Sequence, residues 1–597
     1  MMPDQQQQPH SALSCRGRRL YGPSPREGGE RRAEAFQALT HSLVLLPSPL
    51  HGFGLSTIMS SLPADSLVVA VELEPELNLL SVGSPESLLP ALLAAYPQQL
   101  RYRHAPNMQQ LLQDICRELP SHLRRVQMLS LNNGYSLNAQ AYRKLQQGIE
   151  DELARLWRNR ATTLALGPLW VRNLFRNLPL LTELPRLSTT MVMGDQYDGV
   201  GHQSGGHQSG GHRCAEQATT HVIHVKHPHR PVIVVGAGAS LEADIDIILD
   251  VRQEVTLVAA DSALMPLQGH GITPDLVVIL EAQPVNREHF LLPLKTQFDA
   301  SQDIPFTACD LSSLPTLARR SGKSRGLLFV TRFADISLFD RIEQHGLVPA
   351  TVAPVGSVGV CAIMLTASLF GGPIGITGFD SAYSGGLPHT RGAASHRWAL
   401  RRSTRLDQEP LFAFLHGRRP IEVVGKGDRS YLSEPTLLGS AERISELFDS
   451  WPRIFDFGST GLKLGRKVES TNTAVRAALK LEAQLWDKPI SPKPRQYGER
   501  QRTEAKIAEP PISAALLCAF VEAEIALLDA GIRELTELED GHLSASLSNA
   551  IPQLEYLYFD VSPTAPTHSA GRRRALLQAH RYRELLQQSL TEIHRSS

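Results

Sequence analysis

The first stretch that could do chemistry is VIVVGAGASLEADIDIIL, residues 232–249, in which a hydrophobic strand runs into a glycine loop and then into a helix. Gly236 and Gly238 lack side chains, so a ligand can approach their backbone closely. Ser240 can cap the helix that follows, and helix N-termini bind anions because their backbone N–H groups point outward. The stretch therefore predicts a phosphate-binding loop.

Two acidic strand ends follow this loop. The hydrophobic run VTLVAA ends in Asp261 and Ser262, and the run DLVVIL ends in Glu281. Ligands of open α/β sheets bind beyond the carboxyl ends of the strands, so we expect Asp261 and Glu281 on the same edge as Gly238. Their carboxylates could meet ribose hydroxyls, a base or a metal there. Each acidic residue alone could equally be a helix cap, but together they favour a nucleotide site.

A fourth strand-and-helix unit spans residues 354–392, PVGSVGVCAIMLTASLFGGPIGITGFDSAYSGGLPHTRG. Gly356 and Ser357 form a second helix start built from small residues. The loop after the next strand carries four side chains suited to transfer chemistry, namely Asp380, Tyr383, His389 and Arg391. Two such helix starts on one sheet predict a ligand with two anionic groups, such as a nucleotide sugar that has its own carboxylate.

A weaker motif lies in the N-terminal part of the chain. A strand, the loop His51-Gly52-Phe53-Gly54, a helix and a strand ending in Glu72 and Glu74 follow the Rossmann order. A bulky phenylalanine between the two glycines weakens the match. We therefore favour a structural or acceptor-docking role for this part over a cofactor site.

These elements predict an α/β protein with a central, doubly wound Rossmann-like domain. A duplicated GHQSG pentapeptide marks a linker, in which His202, His207 and His212 are interpreted as passive because no ordered fourth metal ligand accompanies them. The predicted parts are a disordered tail (1–36), an N-terminal Rossmannoid domain with a helical segment (37–196), the linker (197–227), the catalytic domain (228–475) and a C-terminal helical domain (476–597).

Composition narrows the classes of protein. Lysine plus arginine and aspartate plus glutamate each total 60 among 597 residues, so no net positive charge indicates a nucleic-acid partner. The six cysteines are scattered, which favours a reducing, cytoplasmic compartment. Residues 353–379 carry no charge, but the Gly-Gly-Pro break at 371–373 divides them into a core helix and a strand, so no membrane insertion is expected.

The ordered set GAGASL, AADSAL, GITPDLVV, GSVG and GFDSAYSGGLPHTRG resembles the MptE-like domain of the Maf (motility-associated factor) glycosyltransferases. Flanking stretches, including VVGKGDRSYLSEPTLL and IFDFGSTGLKLG, are also similar, so the resemblance covers roughly residues 40 to 470. This chain has Ala239 where the family usually has proline and Glu281 where aspartate is common. The sequence DFGST, residues 456–460, matches the closing glycine motif of this family poorly.

The resemblance implies transfer of a nonulosonic acid, of the pseudaminic or legionaminic type, from a CMP-sugar to serine or threonine of flagellin. It implies a sialyltransferase-like fold with no obligatory metal, Mg²⁺ being the alternative. His389 is our choice for the general base, since imidazole titrates near neutral pH. Tyr383 and Arg391 are expected near the leaving phosphate, with Asp380 close by. The alternatives are an ATP-dependent pterin diphosphokinase and a non-catalytic flagellar accessory protein.

Overall fold

The computed structural model describes most of the chain, in two compact units that meet in sequence at Thr163 and Leu164. The described residues are 13–105, 107–120, 122–187, 230–290, 306–319, 326–348, 351–352, 355–406, 415, 417–481, 508–539, 550–559 and 569–596. The linker at 197–227, with its three histidines, lies outside them.

The first unit is built on a four-stranded parallel sheet with the order β5-β4-β3-β6. Both faces of this sheet are covered, which is why the sequences of its two central strands, β3 and β4, are almost continuously apolar. The strands of this unit are β1 (Ser14–Cys15), β2 (Arg18–Arg19), β3 (Ser42–Pro47), β4 (Leu67–Glu72), β5 (Leu100–His104) and β6 (Arg125–Met128).

Helices pack on both faces of this sheet. One core joins Val44 and Val68 to one layer of helices, and the other joins Leu43 and Leu67 to the opposite layer. The helices are α1 (Pro25–Glu34), α2 (Leu55–Ser61), α3 (Pro75–Val82), α4 (Leu89–Ala95), α5 (Met108–Arg117) and α6 (Ala139–Asn177), the last of which continues into the second unit. The Rossmann-like order predicted for this part is what the structure shows.

Residues 13–36 are ordered, so the predicted disordered tail is wrong for this segment. Strands β1 and β2 and helix α1 pack onto the loop that follows β3. Tyr21 is only 4% exposed and stacks on His51, with ring centroids 5.8 Å apart. Arg16 forms an ion pair of 2.7 Å with the buried Glu74. A few well-placed apolar and charged residues thus order a segment whose overall composition is polar.

The second unit contains a ten-stranded sheet with the order β17-β14-β8-β9-β10-β11-β12-β7-β18, and β13 pairs with β12. All pairs are parallel except that between β7 and β18. The strands of this unit are β7 (Arg186–Leu187), β8 (Val232–Val235), β9 (Thr256–Ala260), β10 (Leu276–Ile279), β11 (Phe306–Asp310), β12 (Gly326–Thr331), β13 (Thr351–Val352), β14 (Ile374–Thr377), β17 (Ile454–Asp456), β18 (Ala508–Glu509), and the separate antiparallel pair β15 (Ile421–Val424) and β16 (Ser430–Ser433).

The helices of the second unit cover both faces of its sheet, as in doubly wound folds. They are α7 (Leu241–Val251), α8 (Leu264–Gly269), α9 (Pro315–Ala318), α10 (Ser337–Gln344), α11 (Val358–Leu369), α12 (Ala394–Arg402), α13 (Pro435–Ser450), α14 (Asn472–Ala478), α15 (Ala514–Glu539) and α16 (Ser569–Ser596). Helix α11 and strand β14 are the core helix and strand predicted for residues 353–379. None of the helices in the described part of the chain is long and apolar enough to cross a membrane.

The C-terminal helices share a core with the sheet, so the structure does not separate residues 476–597 from the central domain. Helices α15 and α16 pack together, and their buried residues continue the core on one face of the sheet. Glu524 on α15 forms two hydrogen bonds of 2.8 Å with Arg341 on α10, and Tyr556 donates to it at 2.6 Å. Strand β18 adds directly to the sheet.

The ordered N-terminal segment leads to a stability prediction. Tyr21→Ala should lower the free energy of unfolding of the first unit by about 3–5 kcal/mol, because a large buried ring is lost from a packed cluster. Denaturant unfolding followed by circular dichroism measures the change.

Leu79→Ala is the matched control, since Leu79 belongs to the same unit but is 69% exposed. Its effect should stay within about 0.5 kcal/mol. Equal, small effects of both substitutions would mean that residues 13–36 do not pack as described.

Candidate functional site

The order of strands in the ten-stranded sheet reverses next to β8. From β8 the chain proceeds through β9 to β12 on one side and later returns to β14 on the other. A reversal of this kind opens a crevice beyond the carboxyl ends of the two strands, where α/β proteins bind ligands. The loop with Gly236, Gly238 and Ser240 and the loop with Asp380 and His389 therefore lie at the expected place.

The glycine loop is closed by the chain itself. The N–H of Gly238 donates to the carbonyl of Gly378 at 2.7 Å, and a Cβ at Gly238 would lie 2.7 Å from Asp380 Oδ1. The N–H of Ser240 donates to Asp380 Oδ2 at 2.8 Å, and its hydroxyl donates to Oδ1. The anion at the start of helix α7 is thus the Asp380 carboxylate, and close packing against Gly378 and Asp380 is sufficient to explain the glycine at 238.

Arg391 docks the same loop onto helix α7. Its backbone N–H donates to Glu242 at 2.8 Å, and its guanidinium, 71% exposed, forms an ion pair of 3.0 Å with that carboxylate. Burial raises the pKa of Glu242, but the hydrogen bonds from Arg391 outweigh this effect and lower the pKa overall. Arg391 therefore already has an acidic partner.

A buried lysine lies beside the glycine loop. Lys426 and Asp456 form an ion pair of 2.7 Å, and each side chain is 3% exposed. Lys426 also donates to the carbonyl of Gly458 at 2.9 Å. Burial raises the pKa of both Asp456 and Asp380, and the lysine charge opposes that rise. The charge of Lys426 thus partly offsets the effect of burial on the pKa of these two carboxyls.

Lys426 and Asp456 were not predicted as site residues from the sequence, although they lie in the stretches VVGKGDRS and DFGST. Thr460, in the second stretch, donates to Asp380 at 3.2 Å. These two stretches therefore complete the surroundings of Asp380. Two features of the sequence could have indicated this ion pair, namely a lysine between two glycines and an aspartate at the end of a strand.

Asp261 and Glu281 lie together at the ends of β9 and β10, as predicted. Asp261 is 1% exposed, and its Oδ1 accepts a hydrogen bond of 2.6 Å from the N–H of Ser262. Burial and the neighbouring Glu281 raise the pKa of Asp261 to about 8. Glu281 is half-buried and accepts from Asn286 at 3.1 Å, and burial raises its pKa. At neutral pH, Asp261 is therefore a carboxylic acid.

His389 is half-buried in the loop after β14. Its Nδ1 lies 3.0 Å from the hydroxyl of Ser395, which fixes the ring. Burial lowers its pKa, so the imidazole is neutral at pH 7. The neighbouring His289 has its pKa lowered to about 4 by burial and by His389. His289 was not predicted from the sequence, because it lies in no recognised motif.

Tyr383 faces the pair of strands β15 and β16. Its N–H donates to the carbonyl of Leu432 at 2.8 Å, and the phenol hydrogen bonds to Glu434. Burial and the charge of Glu434 raise the pKa of Tyr383 to about 12. The structure thus places Tyr383 next to an acidic residue, and its action on a leaving phosphate stays a prediction.

The second helix start, at α11, is more open than the first. Gly356 has φ +71°, and no atom lies within 4 Å of where its Cβ would be. Ser357 caps the helix by accepting from the N–H of Val360 at 3.2 Å. Gly359 packs against the ring of Phe379, which places this helix start beside the loop of Asp380. In the described part of the chain, no group of three or more His, Cys, Asp or Glu side chains is arranged to hold a metal ion.

Comparison with known proteins supports the resemblance. Residues 212–386 match the family described as 6-hydroxymethylpterin diphosphokinase MptE-like. An uncharacterized protein of Treponema pallidum (strain Nichols) is 25% identical over 459 residues, which are 74% of this chain and 70% of that protein.

A solved structure extends the likeness to the whole fold. The Maf glycosyltransferase from Magnetospirillum magneticum AMB-1 matches with a TM-score of 0.54 and 12% identity, covering 98% of this chain and 88% of that one. The predicted resemblance to the MptE-like domain and the predicted Rossmann-like fold are confirmed, and the fold is similar to that of this Maf glycosyltransferase.

The buried ion pair gives a prediction about the site. Lys426→Met should lower the free energy of unfolding by about 3–5 kcal/mol, because Asp456 would be left as an unpaired buried charge. Thermal and denaturant unfolding of the full chain measure the loss.

Lys463→Met is the matched control, since Lys463 pairs with Asp428 at 2.7 Å but both side chains are mostly exposed. It should change stability by less than about 1 kcal/mol. If the two variants were equally stable, Lys426 would not be the buried partner of Asp456.

Proposed function

We propose that this protein is a glycosyltransferase that transfers a nonulosonic acid from a CMP-sugar to serine or threonine of flagellin, and so supports flagellar assembly and motility. The observation that carries the proposal is the fold, which follows that of a Maf glycosyltransferase over 98% of the chain. The proposed compartment is the cytoplasm, and no obligatory metal is proposed.

Transfer begins with the departure of CMP. The bond between the anomeric carbon of the sugar and the phosphate oxygen breaks, and negative charge grows on the phosphate. Backbone N–H groups at a helix start stabilise such charge without reorganisation. The start of α7 already holds Asp380, so the start of α11 at Gly356 and Ser357 is the better phosphate site.

The acceptor hydroxyl needs a base. Its oxygen forms the new bond to the anomeric carbon, and its proton passes to a neutral imidazole. The lowered pKa keeps His389 neutral at physiological pH, and the contact with Ser395 orients the ring. Among the residues of this loop, His389 therefore fits the role of the base best.

A second function follows from the description of the matching family, which names a pterin diphosphokinase. That enzyme class would use ATP with Mg²⁺ and a pterin, and would leave flagellin unchanged. A non-catalytic accessory protein would bind flagellin without turnover. Measured transfer to flagellin separates the proposed function from both.

His389→Ala should reduce transfer by roughly 10²- to 10⁴-fold, the usual effect of losing a general base. The wild-type rate should fall as the pH drops below 6.5, through the lowered pKa of His389, because protonation removes the base. The measurement is a pH–rate series with CMP-sugar and a flagellin fragment, together with the affinity for CMP-sugar, which should barely change.

His396→Ala is the matched control, since His396 lies on the adjacent helix α12 and its Nδ1 accepts a long hydrogen bond of 3.5 Å from the N–H of Gly392. It should transfer at nearly the wild-type rate. Near-normal turnover by His389→Ala would remove His389 from the reaction and make Asp380 the next residue to test, or His396 if its own variant proved slow.

A further inference from the structure

We infer that strand β15, Ile421–Val424, is a docking edge for an extended segment of the protein acceptor, which pairs with it as an added strand. The inference rests on the proposed function, because it takes a polypeptide as the acceptor. It assigns to the hairpin of β15 and β16 a role in holding the acceptor beside the loop that carries Asp380 and His389.

Strand β15 has one side without a partner strand. In the described part of the chain it pairs only with β16, antiparallel, with Glu422 opposite Leu432 and Val424 opposite Ser430. Residue pairs in such a ladder alternate between pairs whose backbone groups bond to each other and pairs whose groups point away. The carbonyl of Leu432 points away from β15, because it accepts from the N–H of Tyr383 at 2.8 Å.

The backbone groups of Glu422 and Val424 therefore point to the unpaired side of β15. Glu422 lies opposite Leu432, and Val424 is two residues further along the same strand, so both have the outward orientation. Within the described residues, their outward N–H and C=O groups form no hydrogen bond. A row of regularly spaced backbone donors and acceptors matches another extended polypeptide, and such pairing provides the affinity in strand addition.

The solvent face of the hairpin beside this edge is partly apolar. Val424 is 69% exposed and Leu432 is 39% exposed, and the register places both side chains on the same face. Val423 and Tyr431, on the opposite face, pack against the core. Alternate side chains of an added strand would therefore find apolar contacts next to β15.

The hairpin is fixed next to the candidate site. Its turn carries Lys426, which forms the buried ion pair of 2.7 Å with Asp456. On β16, the hydroxyl of Ser433 donates to the carbonyl of Ser381 at 2.8 Å. Because both ends of the hairpin bond to elements of the site, the edge is already in place before an acceptor binds, which lowers the entropic cost of docking.

The position of β15 determines which part of the acceptor docks. Neighbouring strands lie about 4.8 Å apart, so a strand added to β15 lies roughly 14 Å from the backbone of Tyr383, with β15 and β16 between them. An extended chain advances about 3.3 Å per residue, so the docking segment lies at least about four residues from the serine or threonine that receives the sugar. A very short acceptor does not reach β15.

The test is steady-state transfer from CMP-sugar by the full chain to two acceptors. One acceptor is a flagellin fragment. The other is a peptide of about five residues, too short to span the distance to β15, around the serine or threonine that mass spectrometry finds glycosylated in the fragment. Comparison of the two acceptors separates docking from damage to the site, because damage slows transfer to both.

Val424→Pro removes an outward N–H and leaves the bonds between β15 and β16, since proline is tolerated where a strand's N–H faces solvent. It should raise the KM for the fragment at least about tenfold, because a strand can no longer pair at this position. The kcat with the fragment and the KM for the short peptide should stay within about twofold of the wild type. Glu422→Pro removes the other outward N–H and should give the same result, so the test does not depend on the folding of one variant.

Val424→Ala is the matched control, since it shortens the same side chain but keeps the N–H. It should raise the KM for the fragment only about two- to threefold, the effect of losing one cross-strand side-chain contact.

Three outcomes would overturn the inference and leave the proposed function standing. They are an equal KM for the fragment in the proline and alanine variants, an equal rise in KM for both acceptors in the proline variants, and loss of a dimer of this chain in the proline variants with the KM for the fragment unchanged. In the third case, β15 would pair with a second copy of the chain. If the wild type transferred no sugar to either acceptor, the proposed function would fail and the inference with it.

Discussion

The carboxylate of Asp380 at the start of helix α7 is the interaction on which the site depends. It joins the loops after β8 and β14, the two strands at which the sheet reverses its order. Gly238 and Gly461 must lack side chains because each would otherwise collide with Asp380. A buried anion at this position needs both hydrogen-bond donors and a nearby cation, and Ser240 and Lys426 supply them.

The two helix starts, at α7 and α11, therefore have different roles. The chain fills the start of α7 with its own carboxylate, so that helix serves to fix the geometry of the loop. The start of α11 remains available to an anion, and Asp261 and Glu281 lie at neighbouring strand ends. On one side of the crevice, the chain's own hydrogen bonds to Asp380 fix the loop. On the other side, Asp261 Oδ2 is buried without a hydrogen-bond partner among the described residues.

Much of the fold could be predicted from the sequence, because strand ends and glycine loops are local patterns. Gly236, Asp261 and Glu281 follow hydrophobic runs whose ends the sequence shows directly. The pairing of Lys426 with Asp456 and the contact of Ser240 with Asp380 join residues 30 and 140 positions apart. Such contacts depend on strand order, which no local pattern reports.

Segments were harder to assign than strand ends. Residues 13–36 contain few apolar side chains, yet Cys15, Leu20, Tyr21 and Ala33 are almost completely buried, and these contacts anchor the segment. The C-terminal region was predicted to be helical, and α15 and α16 are helices, but the sequence does not say which surface covers their apolar faces. That surface is the central sheet, so the predicted boundary at 475 does not separate two cores.

We propose that this protein attaches a nonulosonic acid to flagellin. The most direct measurement is the intact mass of flagellin purified from the wild type, from a strain that lacks this protein and from the complemented strain. The account predicts that the glycan mass disappears in the deletion strain and returns on complementation, with the polypeptide mass unchanged. Flagellin of the same glycosylated mass in all three strains would contradict it.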